Sequence, residues 1–380
     1  MQNSSLWRYI DVSQVEASQS DDLVAFLQRY TCHATRFLRL GRVGDAILQV
    51  IQQNCTSLQQ LSLTINPTVV DLSVLPETLQ WLRTICVRDN ESCRMELQLK
   101  RFAETPLMCL EYLSIKGAVI DDVFCQRMTG SRTLRQLRLD HCLFQADAEL
   151  QKDVLGRVEM IELADCRFES PTAFHDTIEI IGRNANLLGF GLTDPSFTQP
   201  VPVGFIALDN LFQSICVNGN LRYLSVNAPG FCTIKESTFV SLFRSLHNLE
   251  ILSLEYNQSM SDRVLQIAID DNRQLMILNL YGNRCITDEG LQSLSHHPTL
   301  RALSVGSCLN LTPAATLQIA ATLPKLIFLG MSRPSESCTE LSQFEIEKPE
   351  VVFEYFYNDW VRGVSLITQI LSEYEMKDFI

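Results

Sequence analysis

Apolar residues along most of this chain recur in one short phrase: an apolar position, two that vary, a second apolar position, one that varies, and a third apolar position. Leu275, Leu278 and Leu280 spell it, and Leu300, Leu303 and Val305 spell it again one period later. Alternation of period two places Leu278 and Leu280 on one face of a strand and Ile277, Asn279 and Tyr281 on the other. The phrase starts at Thr35, Leu58, Leu82, Leu110, Leu134, Val158, Leu187, Leu221, Leu249, Leu275, Leu300 and Leu326, with a degenerate first copy over Trp7–Val12. Between the copies, apolar residues recur at three and four, as in Ile47, Leu48, Val50 and Ile51. This spacing predicts helices over Asp21–Tyr30, Asp45–Gln53, Ser237–Leu246, Ser261–Asp270 and Thr312–Ala321.

Three residues after seven of these twelve phrases stands an Asn or a Cys: Asn66, Asn90, Cys142, Cys166, Asn257, Asn283 and Cys308. A side chain turned inward there can bond backbone groups that the bend out of the strand leaves unpaired. Cys is a weaker partner than Asn but packs well among apolar groups. Thr287 is placed to cap the segment that opens at Asp288. Two stretches interrupt the period. Asp194–Gly204 holds three prolines and a glycine and predicts a bulging loop, and Arg333–Pro349 predicts a second one. Beyond it, Val352–Tyr357 reads as one more strand, and Val364–Leu371 as an amphipathic helix that closes the open end of the core. His296 and His297, before Pro298, read as cations at a helix C-terminus.

The phrase with its Asn or Cys resembles the leucine-rich-repeat signature. The resemblance implies an α/β fold, a right-handed, ribonuclease-inhibitor-like horseshoe solenoid with parallel strands on the concave face and helices outside. The expected organisation is a single repeat domain over 1–380: a degenerate first repeat in 1–34, regular repeats in 35–333, and a loop and C-terminal cap in 334–380.

Composition narrows the function. The net charge of −13 and a pI near 5.0 argue against nucleic acid as the main partner. No run of about 18 apolar residues predicts a membrane span, and the first residues lack the basic and apolar regions of a signal peptide. Thirteen cysteines, several of them in repeat slots, predict buried reduced thiols in the cytoplasm or nucleus rather than a disulfide frame. There is no C-x-x-C, no His-Glu-x-x-His and no glycine-rich phosphate loop, and the six histidines are spread over several repeats. No catalytic residue, metal site or cofactor is expected, and the chain is not expected to be an enzyme.

The run Cys285-Ile286-Thr287-Asp288-Glu289-Gly290-Leu291 resembles the cysteine-containing subclass of these repeats, which is typical of F-box/leucine-rich-repeat proteins, the substrate receptors of cullin ubiquitin ligases. Leu6-Trp7-Arg8-Tyr9-Ile10-Asp11-Val12 is similar to the junction at which that family's chain leaves the F-box and enters the repeats. Only five residues precede Leu6, with no Leu-Pro-x-Glu helix. The resemblance therefore implies substrate binding without the adaptor-binding module, so that the cullin-ligase adaptor would be a partner only with an F-box upstream. The alternative is a stand-alone scaffold or inhibitor, and a sensor domain of an immune-type receptor is a third reading.

The strand positions that do not face the core outline a binding surface. In the first half they include Arg36, Arg39, Arg42, Arg83, Arg88, Lys116, Arg135 and Arg138, a cationic strip suited to an acidic or phosphorylated protein segment or balanced by nearby carboxylates such as Asp89, Asp140 and Glu162. In the second half Tyr223, Ile251, Glu255, Tyr256, Ile277, Tyr281 and Phe328 stand there, beside small serines, as a protein-contact face would have them. Arg39, Arg88, Lys116, Arg138, Tyr223, Tyr256, Tyr281 and Phe328 are the expected partner-binding residues.

Overall fold

A computed structural model describes residues 7–14, 20–43, 45–65, 84–89, 109–146, 148–198, 206–216, 219–227, 232–332 and 339–356. Asn66, Leu82, Arg83, Asn90, residues 199–204, residue 333, Tyr357 and the predicted helix Val364–Leu371 lie outside them. The chain forms two units, Met1–Ile180 with Pro195–Gln199, and Ile181–Asp194 with Pro200–Ile380.

In the first unit the inner strands are β1 (Tyr9–Val12), β2 (Phe37–Val43), β3 (Gln60–Ile65), β4 (Thr84–Asp89), β5 (Tyr112–Lys116), β7 (Gln136–Asp140) and β9 (Met160–Ala164), paired in that order and all parallel. Short outer strands β6 (Val119–Ile120), β8 (Leu143–Phe144), β10 (Arg167–Phe168) and β12 (Ser196–Phe197) form a second ribbon. In the second unit β11 (Gly189–Thr193), β14 (Tyr223–Asn227), β16 (Ile251–Glu255), β17 (Ile277–Asn279), β18 (Ala302–Ser304), β19 (Phe328–Ser332) and β20 (Val352–Phe356) pair in order, again parallel, and β13 (Ile206–Ala207) pairs with β15 (Cys232–Thr233).

The predicted phrase makes the core. Leu113 and Ile115, Leu137 and Leu139, Leu252 and Leu254, and Leu278 and Leu280 stack in register and are buried. Parallel strands need crossovers, and each repeat returns through a helix or a tight segment. The predicted helices are observed as Ser20–Tyr30, Asp45–Asn54, Glu236–Ser245, Asp262–Asp271 and Pro313–Thr322.

The bend after each strand has a fixed geometry. His141, Asp165, Asp194, Tyr256 and Ser307 take positive φ there, as do Gly117 and Gly282. The N–H groups of Gly117, His141, Asp194, Tyr256 and Gly282 each donate to a carbonyl of the next repeat, so the strained conformation recovers a hydrogen bond. Glycine is required at 282, where φ is +74° and a Cβ would lie 2.5 Å from the Tyr256 ring. One position on, Asn283 does what its slot predicts. Its Nδ2 donates to the carbonyls of Leu254 at 2.5 Å and Leu280 at 2.8 Å, and its Oδ1 accepts from the N–H of Asn257 at 2.8 Å. Cys308 Sγ reaches the Leu280 carbonyl at 3.1 Å, and Cys166 Sγ the Leu139 carbonyl at 3.3 Å. Burial pushes the Cys308 thiol up to about 12 and that of Cys166 well up, so both stay neutral and unreactive. The cysteines among the described residues are all free thiols.

Three expectations need correction. Thr287 sits at the N-cap of the short helix Asp288–Leu291 but does not cap it. Its Oγ1 and N–H instead donate to the Asp262 carboxylate of the preceding repeat, at 2.7 and 2.8 Å. Asp288 repeats the clasp one step on, accepting from the N–H and Oγ1 of Thr312 at 2.7 and 2.8 Å. The predicted loop over Arg333–Pro349 contains a helix, Thr339–Glu347, whose one deeply buried residue, Phe344, packs edge-on against Phe353 at 5.4 Å. A helix with a single anchor has too little apolar periodicity to be read from sequence. His297 is not an exposed cation: it is fully buried, lies 3.3 Å from the Asn272 carbonyl, and has its pKa lowered by that burial.

Candidate functional site

The inner strand face of the first unit carries side chains that alternate with the core. On β5, β7 and β9, Leu113, Ile115, Leu137, Leu139, Ile161 and Leu163 are buried, while the residues between them are half-exposed. Register sets three rows across these strands: Tyr112, Gln136 and Met160; Ser114, Arg138 and Glu162; and Lys116, Asp140 and Ala164.

Four of the predicted cations each stand beside a carboxylate. Arg39 pairs with Asp11 at 3.8 Å, Lys116 with Asp140 at 3.8 Å, and Arg138 with Glu162 at 3.2 Å. Arg135 pairs with Glu159 at 3.5 Å, and Arg36 donates to the carbonyls of His33 and Ser57 at 3.1 and 3.0 Å. Arg88 lies in β4, with its side chain outside the described residues, as is that of Arg42. Half-exposed pairs of this kind contribute about 0–1 kcal/mol and rearrange readily, so the surface is a mosaic of both signs rather than a basic strip.

Asp140, His141 and Asp165 converge at one edge of this face. His141 Nδ1 bonds the Asp140 carboxylate and stands 3.8 Å from Asp165. The Asp165 carboxyl is raised above its usual range, first by desolvation and also by Asp140, with His141 opposing. One imidazole and two carboxylates suit a divalent ion. Here the Lys116 ammonium already balances Asp140.

The inner face of the second unit differs. On β16, β17 and β18 the core-facing and inner-facing residues alike are buried, and on β19 only Ser332 is exposed. Ile251, Ile277, Ala302 and Phe328 form one apolar row, against which Tyr223 and Met276 pack partly buried. The exposed aromatic face expected here is therefore not present as such. Phe328 is 2% and Tyr281 6% exposed, whereas Tyr223 and Tyr256 are half-buried. The Tyr256 and Tyr281 rings meet edge to face at 5.4 Å, and Ser307 Oγ donates to the Tyr281 hydroxyl at 3.0 Å. Desolvation, with Tyr281 adding to it, pushes the Tyr256 phenol well up.

Beside the apolar row lies a buried polar layer, of which the sequence marks Glu255 and Asn279 as inner-face positions but not the bonds between them. Glu255 Oε2 accepts from Asn227 Nδ2 at 2.9 Å, and its Oε1 from Asn279 Nδ2 at 2.6 Å; Asn279 Nδ2 also reaches Ser253 Oγ at 3.0 Å. Burial pushes the Glu255 carboxyl up to about 7, the bond from Asn279 opposes this, and the like charge of Asp194 adds to it. Asn227 Oδ1 is buried with no partner among the described residues. Laying the repeats in register would have put Asn227 directly opposite Glu255, but nothing in the string shows that both are out of water.

The repeat geometry has a solved counterpart. A structure of yeast Rad7 in complex with Elc1 is similar over 92% of this chain and 87% of that one, at a TM-score of 0.52 and 14% identity. The fold is a leucine-rich-repeat solenoid. An internalin from Listeria monocytogenes aligns over 86% of this leucine-rich-repeat chain and 82% of its own at 14% identity and a TM-score of 0.41. A leucine-rich-repeat protein from Leptospira interrogans aligns over 93% and 97%, respectively, at 16% identity and a TM-score of 0.39. No protein-family model and no curated protein matches the sequence. Among the described residues of this leucine-rich-repeat chain, no helix is long and apolar enough to cross a membrane.

Proposed function

We propose that this chain is a non-enzymatic recognition protein that holds another protein against its inner strand face, and that it serves as the substrate-binding part of an F-box-type cullin ubiquitin ligase receptor. One observation carries the reading: β5, β7 and β9 hold nine half-exposed side chains in three fixed rows, and four of them, Lys116, Arg138, Asp140 and Glu162, carry charges of both signs. Strands paired at about 4.8 Å make a rigid grid, which gives a protein partner complementary charge without reorganisation. The mosaic of signs fits a partner segment that is itself mixed or carries phosphate, to which Arg138 can turn from Glu162. The yeast neighbour, solved in complex with another protein, supports a protein partner.

The test is affinity purification of the full chain against the double variant Lys116→Glu/Arg138→Glu, with partners identified by mass spectrometry. A partner retained by the native chain and lost from the variant is the expected result. An unchanged set of partners would move recognition off this face. Co-purification with the cullin adaptor separates the ligase role from that of a stand-alone scaffold, since the scaffold would bring down the protein partner alone.

A further inference from the structure

Helices of successive repeats that meet through a full apolar seam close the space between them. Thr339–Glu347 has one deeply buried residue, Phe344, and the helix before it, Pro313–Thr322, meets it with a side chain as small as Ala321. A cavity of about 460 Å³ remains between the two, within the range of small-molecule sites. Its floor is apolar, formed by Leu317, Ala321 and Phe344. Its wall is polar and of one sign. Glu340, Gln343, Phe344 and Glu347 line it from one face of their helix, as spacings of three, four and seven require. Glu340 and Glu347 thus stand two turns apart, about 10 Å along the axis. Between them Gln343 Nε2 donates to Glu347 Oε1 at 2.6 Å, which holds that carboxylate along the wall and leaves its Oε2 to a ligand. The helix ends at Glu347, so its terminal carbonyls add partial negative charge there. Among the described residues that line the cavity there is no lysine or arginine, and Lys348, just beyond it, donates to the Leu323 carbonyl at 3.0 Å.

We propose that this cavity binds a linear diamine or polyamine, with one ammonium group at Glu340, another at Glu347, and the methylene chain between them laid over Leu317, Ala321 and Phe344. The spacing of the carboxylates selects ammonium groups about 10 Å apart. Ammonium groups take charge-assisted hydrogen bonds from carboxylate oxygens, and the methylenes leave water on an apolar floor. A protein is a poorer occupant. A stable interface needs about 800 Å² on each partner, and a groove one helix face wide and about 14 Å long offers far less. The site lies on the helix side of the repeats and stands independently of recognition on the inner strand face.

Isothermal titration calorimetry of the full chain tests this with spermidine and diaminooctane as probes. Diaminopropane is the comparison, because its ammonium groups stand too close together to reach both carboxylates. Spermidine and diaminooctane should saturate one site, and diaminopropane should bind on the order of tenfold more weakly. Glu340→Gln/Glu347→Gln should weaken spermidine by about the same factor. Ala321→Leu keeps every charge and fills the floor, so it should abolish binding. Glu345→Gln, on the exposed side of the same helix, should leave binding unchanged. Thermal unfolding followed by circular dichroism establishes that each variant is folded. Absence of saturable binding to the native chain would overturn the proposal. Diffuse attraction to an acidic chain would overturn it too, seen as spermidine binding that survives Ala321→Leu or that Glu345→Gln weakens as much as the double variant does.

Discussion

Strands β5 and β18 share a backbone and a serine at the same inner position, yet Ser114 is half-exposed and Ser304 is buried. The difference lies in the side chains around each. In the first unit the inner rows are long and charged, and such groups lose too much free energy to leave water. In the second unit the sequences ILSLE, ILN, ALS and FLGMS offer apolar and small residues on both faces, which is how strands covered on both sides read. One repeat geometry thus supports an open face and a closed one, and the side chains that neighbouring repeats set around each slot decide which.

Identical substitutions in the two slots test this most severely. Ser304→Asp should destabilise the chain by about 4 kcal/mol, because it buries an unpaired charge, while Ser114→Asp, beside Arg138, should stay within about 0.5 kcal/mol of the native chain. Urea unfolding measures both, and similar losses from the two would abolish the distinction.

Acidity provides the next contrast. The Glu255 carboxyl is raised from 4.5 to about 7 on folding, so the folded chain binds more protons than the unfolded one between those values. Stability should therefore fall as pH rises from about 4.5 to about 7, by on the order of 3 kcal/mol. Glu255→Gln should flatten that decline: its amide can donate to Asn227 once the Asn227 amide turns its Oδ1 inward. Thermal unfolding across that pH range is the measurement, and an unaltered decline in the variant would assign the effect to other groups.

The outer sides differ as well. The first unit stacks Phe144 on Phe168 at 4.7 Å with Phe174 and Phe197 around them. The second unit clasps successive repeats through Asp262 with Thr287 and Asp288 with Thr312. A Cβ on Gly290 would lie 2.0 Å from Asp262 Oδ1. Gly290→Ala should therefore cost about 2 kcal/mol by pushing that carboxylate off Thr287. Should differential scanning calorimetry find no loss, the clasp would be dispensable. A smaller effect than that of Gly290→Ala is expected on the open face, where Arg138→Ala should change unfolding free energy by less than about 1 kcal/mol.

Much of this was legible in the string. The apolar phrase, the Asn and Cys slots and five helices can be read from it, and the phrase Ile286-Thr287-Asp288-Glu289-Gly290 marks the clasp even though the clasp's direction cannot be inferred. The helix Thr339–Glu347 was missed because Phe344 is its one deeply buried residue. Of the expected partner-binding residues, Arg39, Lys116 and Arg138 emerged on a half-exposed face, but the strip they share with Asp11, Asp140 and Glu162 is not basic. Tyr281 and Phe328 proved buried, and Glu255 owes its raised pKa to burial within the assembled face, with Asp194 adding to it and the bond from Asn279, 24 residues on, opposing.

Local periodicity is enough to specify the repeat, because a strand and a helix each need one apolar face and the spacing of leucines names it. Which inner residues meet water depends instead on groups a repeat or more away. Register puts Asn227 opposite Glu255 and Asn279 opposite Ser253, from where its amide reaches Glu255, and sets Ile251, Ile277, Ala302 and Phe328 in one row. Desolvation is a property of that assembled surface, and no single strand carries it.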